Sequence, residues 1–277
     1  MLLASGLWSP VSDHDQFVSS INAVEVYASV ANKNGEPAIG LSREDFEVLE
    51  DGVPQTVGTF TAGDFPLAAA LAVDRSSSMK GERLAVAQAG ARAFLGALRA
   101  EDRALLLAIG SQVEEVAPLS ADRAAQLGAV ARLDAWGTTP LNDAIAEGIE
   151  RIQPAGGRRA LVLLSDGDER YSTRAAADVT ALARRSDVMI FPVALGRIRP
   201  PLFAELAALT GGRSLHIRDP RALTEALRGI ARELRYQYLL GYTPARPLSE
   251  PGEWRSIVVN VKRPGLRARA RDGYLVR

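Results

Sequence analysis

Phe65-Pro66-Leu67-Ala68-Ala69-Ala70-Leu71-Ala72-Val73 runs apolar straight into Asp74-Arg75-Ser76-Ser77-Ser78. An apolar run of this length, bounded by a polar turn and followed by a helical pattern, suits a buried parallel strand. A carboxylate and two hydroxyls at alternating positions on that turn suit a hard divalent cation, which takes oxygen ligands and retains waters. The carboxyl end of a strand is also where open α/β sheets place their sites. Asp and Ser are equally ordinary loop residues, and Ser76 or Ser78 could cap the helix near Glu82. The stretch alone leaves both readings open.

Two further segments bear on the choice. Ala135-Trp136-Gly137-Thr138-Thr139-Pro140-Leu141-Asn142-Asp143-Ala144 puts a hydroxyl pair before a helix that starts at Pro140, a favoured helix-start residue. Arg159-Ala160-Leu161-Val162-Leu163-Leu164-Ser165-Asp166-Gly167 is a second buried strand ending in an acidic turn. Each has a structural alternative: Thr138 and Thr139 as helix caps, Asp166-Gly167 as a turn dipeptide. Asp143 reads as a hydrogen-bonding group of its loop or helix. Loops of this kind converge only at one edge of a parallel sheet.

In this order D-x-S-x-S, G-T-T-P-L-x-D-A and L-L-S-D-G resemble the von Willebrand factor type A domain with its metal-ion-dependent adhesion site. The resemblance implies Asp74, Ser76, Ser78, Thr139 and Asp166 as the metal-site positions, with Thr139 rather than Thr138 aligned to the ligand. Magnesium suits such a set because it favours compact octahedral coordination and keeps some waters; manganese and calcium are the alternatives. A protein partner would complete the ion's sphere with an Asp or Glu carboxylate. Arg75, Ser77, Thr138, Asp168 and Glu169 are the candidates for the rim around it, Asp168 and Glu169 being readable also as solvated loop charges.

Composition narrows the function classes. Among 277 residues Lys+Arg and Asp+Glu balance at 33 each, so no global field attracts nucleic acid. There is no cysteine, hence no disulfide or thiolate metal site, and only His14 and His216 could supply imidazole. His216, in Ser214-Leu215-His216-Ile217, reads as a packed histidine on a short strand. No G-x-S-x-G elbow or P-loop occurs, and no apolar run approaches the roughly 20 residues that span a bilayer. A metal-assisted hydrolase using Asp74 or Asp166, and a structural module with an incidental metal site, are the competing functions.

Ala68–Asp74, Arg103–Ile109, Ala160–Ser165 and Val188–Leu195 read as buried strands alternating with amphipathic segments. In Glu82–Arg99 the positions Leu84, Ala87, Ala91, Phe94, Leu95 and Leu98 share one face and Gln88, Arg92 and Arg99 lie opposite; Leu223, Ala226, Leu227, Ile230 and Leu234 stripe Arg221–Arg235. Such alternation predicts a doubly wound, Rossmann-like α/β layer with a mainly parallel sheet. The flanks instead alternate with period two: Val24–Val30, then Phe46–Glu50 entering an Asp51-Gly52 hairpin turn, and later Ile257, Val259 and Val261. Arg267, Arg269 and Arg271 then read as a solvated strand face; nucleic-acid binding would need denser basic charge and aromatics.

Neither flank has the strands to form a stable sheet alone. The expected organisation is therefore residues 1–19 as a disordered terminus or signal remnant, and 63–235 as the α/β domain inserted in one β-sandwich made of 20–62 and 236–277. Gly40–Gln55, Arg235–Tyr242 and Ala270–Tyr274 resemble the flanking signatures of bacterial "VWFA-related" proteins, a group common in Acidobacteria-like genomes. That likeness implies an extracytoplasmic setting: secreted, periplasmic or surface-attached. Met1–Trp8 is short and lacks a basic n-region, so it is not a clear signal peptide. In type A domains with a switchable site the last helix moves; here it runs almost directly into Tyr236-Gln237-Tyr238, which favours a locked helix.

Overall fold

The computed structural model describes residues 23–276 apart from 64, 168 and 249. Segment 1–19, including Met1–Trp8 and His14, and the rim candidate Asp168 lie outside the described residues.

The first flank forms β1 (Val24–Asn32), β2 (Phe46–Glu50), β3 (Val53–Gln55) and β4 (Val57–Ala62). Alternation in β1 buries Val24, Val26, Ala28 and Val30, as a strand with one face in a core requires. β2 and β3 form a hairpin with Glu50 opposite Val53. Both intervening residues have positive φ, +48° at Asp51 and +79° at Gly52, the backbone that an Asp-Gly loop accommodates.

The middle of the chain supplies β5 (Leu67–Asp74), α1 (Glu82–Ala97), β6 (Arg103–Ile109), β7 (Val113–Ser120), α2 (Arg123–Ala131), α3 (Leu141–Ile152), β8 (Arg158–Ser165), α4 (Ala176–Arg185), β9 (Val188–Leu195), α5 (Pro201–Thr210), β10 (Leu215–Ile217) and α6 (Leu223–Arg235). Its strands lie in the order β10-β9-β8-β5-β6-β7. Every neighbouring pair is parallel except β6 and β7. This is a doubly wound α/β layer. The chain leaves β5 through β6 on one side and returns to β8 on the other, so the switch point that forms a crevice lies between β5 and β8. All of β5 is buried. Phe94 and Leu95 of α1 with Leu227 and Ile230 of α6 cover one face of the sheet, and Ile145, Ile149, Phe203 and Leu206 from α3 and α5 cover the other. At Gly90 a Cβ would sit 3.0 Å from Leu223, so the missing side chain lets α1 and α6 approach.

Two sequence expectations change here. The strand β7 was not foreseen, because Glu114, Glu115 and Pro118 interrupt any apolar run; as an antiparallel edge strand it tolerates them. Gln88 and Arg99 do not lie on a solvent face. Gln88 is half-buried and donates through Nε2 to Val130 O and Leu133 O (3.0 and 2.9 Å) at the end of α2. Arg99, beyond the end of α1, donates to Phe65 O (3.1 Å).

After α6 a single residue, Tyr236, leads into β11 (Gln237–Tyr242), followed by β12 (Trp254–Val261), β13 (Leu266–Arg269) and β14 (Gly273–Leu275). Two further sheets form, β13-β1-β11-β4 and β14-β12-β2-β3, and each mixes strands from both flanks. Their shared core contains Val26, Val30, Phe46, Val48, Tyr238, Leu240 and Ile257. The arginine stripe is not a solvated face. Only Arg267 is exposed. Arg269 donates to Glu233 Oε1 (2.5 Å) and Gly212 O (3.2 Å), and Arg271 to Asp187 Oδ1 (2.5 Å), so both tie the sandwich to the α/β layer.

Glu50 is 3% exposed and carries a carboxylate into the sandwich core. It accepts from Tyr242 Oη (2.8 Å), Tyr274 Oη (2.9 Å) and Arg255 Nη1 (3.1 Å), linking β2 of the first flank to β11, β14 and β12 of the second. Burial, with Glu50 as acceptor, pushes both phenols well above the usual tyrosine value, so they remain donors. Removing one member of a buried charged set leaves the other uncompensated. Glu50→Ala should therefore lower the unfolding free energy by about 3–5 kcal/mol in urea titrations, while Glu25→Ala, exposed on β1, should stay within about 0.5 kcal/mol. Equal effects of the two would refute the linking role of Glu50.

Candidate functional site

The strand β5 delivers Asp74 to the carboxyl edge of the sheet with no exposure at all. Its Oδ1 accepts the Ser76 backbone N–H (2.8 Å), bending the chain sharply after the strand. Its Oδ2 accepts from Ser165 Oγ (2.6 Å) at the end of β8. The Ser76 and Ser78 hydroxyls lie 3.0 Å apart, side by side on the turn. A short 3-10 turn, Ser77–Met79, then anchors the loop through the fully buried Met79 before α1 begins.

The other two loops are stitched to this one. Trp136 N–H donates to Arg75 O (2.8 Å) and Ser77 N–H to Gly137 O (3.1 Å). Gly137 has φ +85°, and a Cβ there would collide with the Ser111 backbone nitrogen, so only glycine lets the G-T-T loop pass. Thr139 is buried, and its carbonyl accepts from Leu141 N–H and Arg170 N–H (2.8 Å each), joining the second loop to the third. The third loop closes on the first through Ser165 and Asp74. Asp74, Ser76, Ser78, Thr139 and Asp166 thus stand on three mutually bonded loops at the switch point.

Asp166 is 6% exposed, and its Oδ1 is buried without a hydrogen-bond partner. Its Oδ2 faces Arg83 Nη1 at 3.5 Å, and the same nitrogen donates to Ser78 O (3.2 Å). Burial pushes the Asp74 carboxyl above its ordinary value, opposed by the bonds from Ser165 and Ser76 and reinforced by the Asp166 charge. Two desolvated carboxylates near the paired hydroxyls of Ser76 and Ser78, with one carboxylate oxygen orphaned, is a donor set that fits a hard divalent cation. Among the described residues no group of three or more His, Cys, Asp or Glu side chains is placed to bind metal.

The rim candidates divide. Ser77 is exposed and Thr138 half-buried beside the site. Arg75 is not on the rim: it is 6% exposed, pairs with Glu114 (2.6 Å) and Asp134 (3.1 Å), and lies 4.9 Å over the Trp136 ring. It is a strut beneath the second loop, turned inward because alternation after Asp74 points it away from Ser76 and Ser78. Glu169 is engaged too, accepting from Asn142 N–H (2.8 Å), Ser172 N–H (3.0 Å) and Ser172 Oγ (3.0 Å). Asp143 similarly accepts from Thr173 N–H and Arg174 N–H (2.9 Å each). His216 is half-buried, its Nε2 2.8 Å from Gly196 O. Sequence reasoning overlooked Ser165 and Arg83. Ser165 was visible as the polar residue closing an apolar strand; nothing local marks Arg83.

Residues 69–169, which carry all three loops, match the family model of the von Willebrand factor type A domain. A von Willebrand factor type A protein from Catenulispora acidiphila shares the fold at TM-score 0.59 and 15% identity, covering 93% of this chain and 74% of that one. The vWF domain of the type V pili tip protein Mfa5 from Porphyromonas gingivalis aligns at TM-score 0.53 and 12% identity, over 63% of this chain and 96% of that one. The conserved hypothetical protein BatB from Bacteroides thetaiotaomicron aligns at TM-score 0.51 and 15% identity, over 61% and 98%. At such identities the fold is what is shared. No curated protein matches in sequence. The α/β layer of this chain has the von Willebrand factor type A fold, and the part of it that carries the three loops matches that family's model.

The raised Asp74 value has a pH consequence. The folded state holds the Asp74 proton more tightly than the unfolded chain, whose value is 3.8. The resulting stabilisation is complete below that value and is lost as pH rises through the folded one. In metal-free buffer the stability of wild type relative to Asp74→Asn should therefore increase as pH is lowered from neutrality toward the carboxylate range. A difference that stays constant across that range in urea titrations would contradict the desolvation of Asp74.

Proposed function

We propose that the chain is a non-enzymatic, divalent-metal-dependent protein-binding module. The carrying observation is the buried Asp166 Oδ1 without a hydrogen-bond partner, beside a second buried carboxylate, Asp74, and the paired hydroxyls of Ser76 and Ser78. An orphaned buried acceptor is costly unless something completes it. A hard cation held by Ser76, Ser78 and Thr139, with Asp74 and Asp166 reaching it directly or through water, supplies that completion. Magnesium is the proposed ion, with manganese and calcium as alternatives. Neutral hydroxyl ligands leave the ion much of its charge, so an Asp or Glu carboxylate from a partner protein completes the sphere.

A hydrolase reading has less support. Asp74 and Asp166 have no imidazole or thiol beside them to act as base or nucleophile among the described residues, and His216 is bonded to a neighbouring carbonyl. No helix of the described residues is long and apolar enough to cross a membrane. The proposed setting is extracytoplasmic, from the likeness of the flanks to exported VWFA-related proteins; the pilus tip protein among the fold relatives accords with it.

The metal reading is tested by thermal unfolding. At a hundredfold excess over its Kd, a cation that binds only the folded state adds about 2.7 kcal/mol, roughly 5–10 °C in Tm for a chain of this size. Magnesium or manganese should produce that rise in wild type, less in Ser76→Ala and none in Asp74→Ala. Equal rises in wild type and Asp74→Ala would defeat the assignment. In pull-downs, binding that persists in EDTA would point to the structural module, and turnover abolished by Asp74→Ala to the hydrolase.

Arg83 offers a second handle. Its guanidinium lies 3.5 Å from Asp166 Oδ2, where it competes with a cation for the same carboxylate. Arg83→Met should tighten manganese binding by roughly twofold to fivefold, the discounted worth of an ion pair with an exposed guanidinium. Unchanged affinity in calorimetry would show that Arg83 does not compete.

A further inference from the structure

A cavity of about 850 Å³ opens beside the metal-site carboxylate. Its wall includes Asp166, three arginines (Arg83, Arg197 and Arg218) and the apolar Leu195, Ile198 and Pro220. The balance of charge there is unlike that of the whole chain, which is neutral. Asp166 is the cavity's one carboxylate, and Arg83 is already paired with it. Arg197 and Arg218 are both exposed, and neither makes a side-chain hydrogen bond or ion pair among the described residues. The nearest acidic residue in sequence, Asp219, accepts from Arg221 instead. Two uncompensated guanidiniums in a concave site with low-dielectric walls focus a positive potential at its mouth.

We infer that this cavity is a second carboxylate subsite, and that the partner presents an acidic segment in which one Asp or Glu reaches the metal while another enters the cavity. The inference rests on the metal-dependent binding reading and names the partner chemistry of that same edge. Guanidinium forks match carboxylates bidentately. The apolar wall, on which Ile198 is 46% exposed, suits the aliphatic stem that carries such a carboxylate on a peptide. A nucleic acid would call for an extended basic stripe with aromatic platforms; this cavity is compact, and its walls between the arginines are aliphatic.

The test uses the full chain in magnesium and a terminally blocked tetraglutamate peptide, with the tetraglutamine peptide as control, followed by NMR titration. Tetraglutamate should bind and tetraglutamine should not. The Arg197→Gln/Arg218→Gln double variant should weaken binding by roughly threefold to tenfold, the range for partly solvated ion pairs. Arg267→Gln, an exposed arginine on the sandwich, should leave it unchanged. These substitutions lie on the surface, and their thermal unfolding should match wild type. Failure of tetraglutamate to bind, equal binding of both peptides, or equal weakening in Arg267→Gln would overturn the subsite. Inorganic phosphate displacing the peptide at lower concentration than glutamate does would overturn the carboxylate assignment. Binding that is lost in the double variant yet identical in magnesium and EDTA would support the subsite and refute the metal reading. Binding that needs magnesium and ignores the double variant would do the reverse.

Discussion

One buried guanidinium holds both places where the chain crosses between the sandwich and the α/β layer. Arg158, 1% exposed at the start of β8, donates to Phe65 O just before β5 and to Leu234 O at the end of α6, and lies 5.3 Å over the Phe65 ring. An inserted domain must enter and leave its host at neighbouring points, and a buried arginine must find acceptors for its donors. Here one requirement answers the other. Gln237 continues the link, donating through Nε2 to Ser29 Oγ on β1 (3.0 Å). The two flanks can then pair as β1 with β11, antiparallel, from Val24 opposite Tyr242 to Ser29 opposite Gln237.

The same clamp bears on how the site can behave. With Leu234 bonded to Arg158 and only Tyr236 between α6 and β11, the last helix cannot slide along the layer without breaking buried contacts. Glu233, near its end, is further held by Arg269 of β13 (2.5 Å) and by Arg213 (3.1 Å). The sandwich is therefore a brace on the helix. At the opposite edge the loops are braced against one another, by Ser165 on Asp74 and by the backbone bonds around Gly137 and Thr139. The proposed cation site is thus braced by groups outside its candidate ligand set.

Several charged residues took roles that their sequence neighbourhood does not announce. Arg75 sits inside the polar turn and reads as rim, yet it serves as a buried strut between Glu114 and Asp134. Arg269 and Arg271 alternate with apolar residues as a solvated face would, yet that face is covered by the α/β layer. Alternation reports that two faces differ; it does not say that the polar one meets water. Glu50 illustrates the same point from the other side, since the period of β2 turns it inward with Phe46 and Val48, into the company of two tyrosines and Arg255.

Local sequence determined the buried strands, the hairpin at Asp51-Gly52, the flanking alternation and the three polar turns. Each depends on residues within a few positions: an apolar run, a glycine at positive φ, a hydroxyl next to a carboxylate. Tertiary structure alone decided the pairings that give those turns their chemistry. Ser165 meets Asp74 across 91 positions and Arg255 meets Glu50 across 205, and Arg83 reaches Asp166 from the first turn of α1. No pattern in the chain encodes such contacts, because they arise only when parallel strands bring their carboxyl ends to one edge and two distant flanks close a common core.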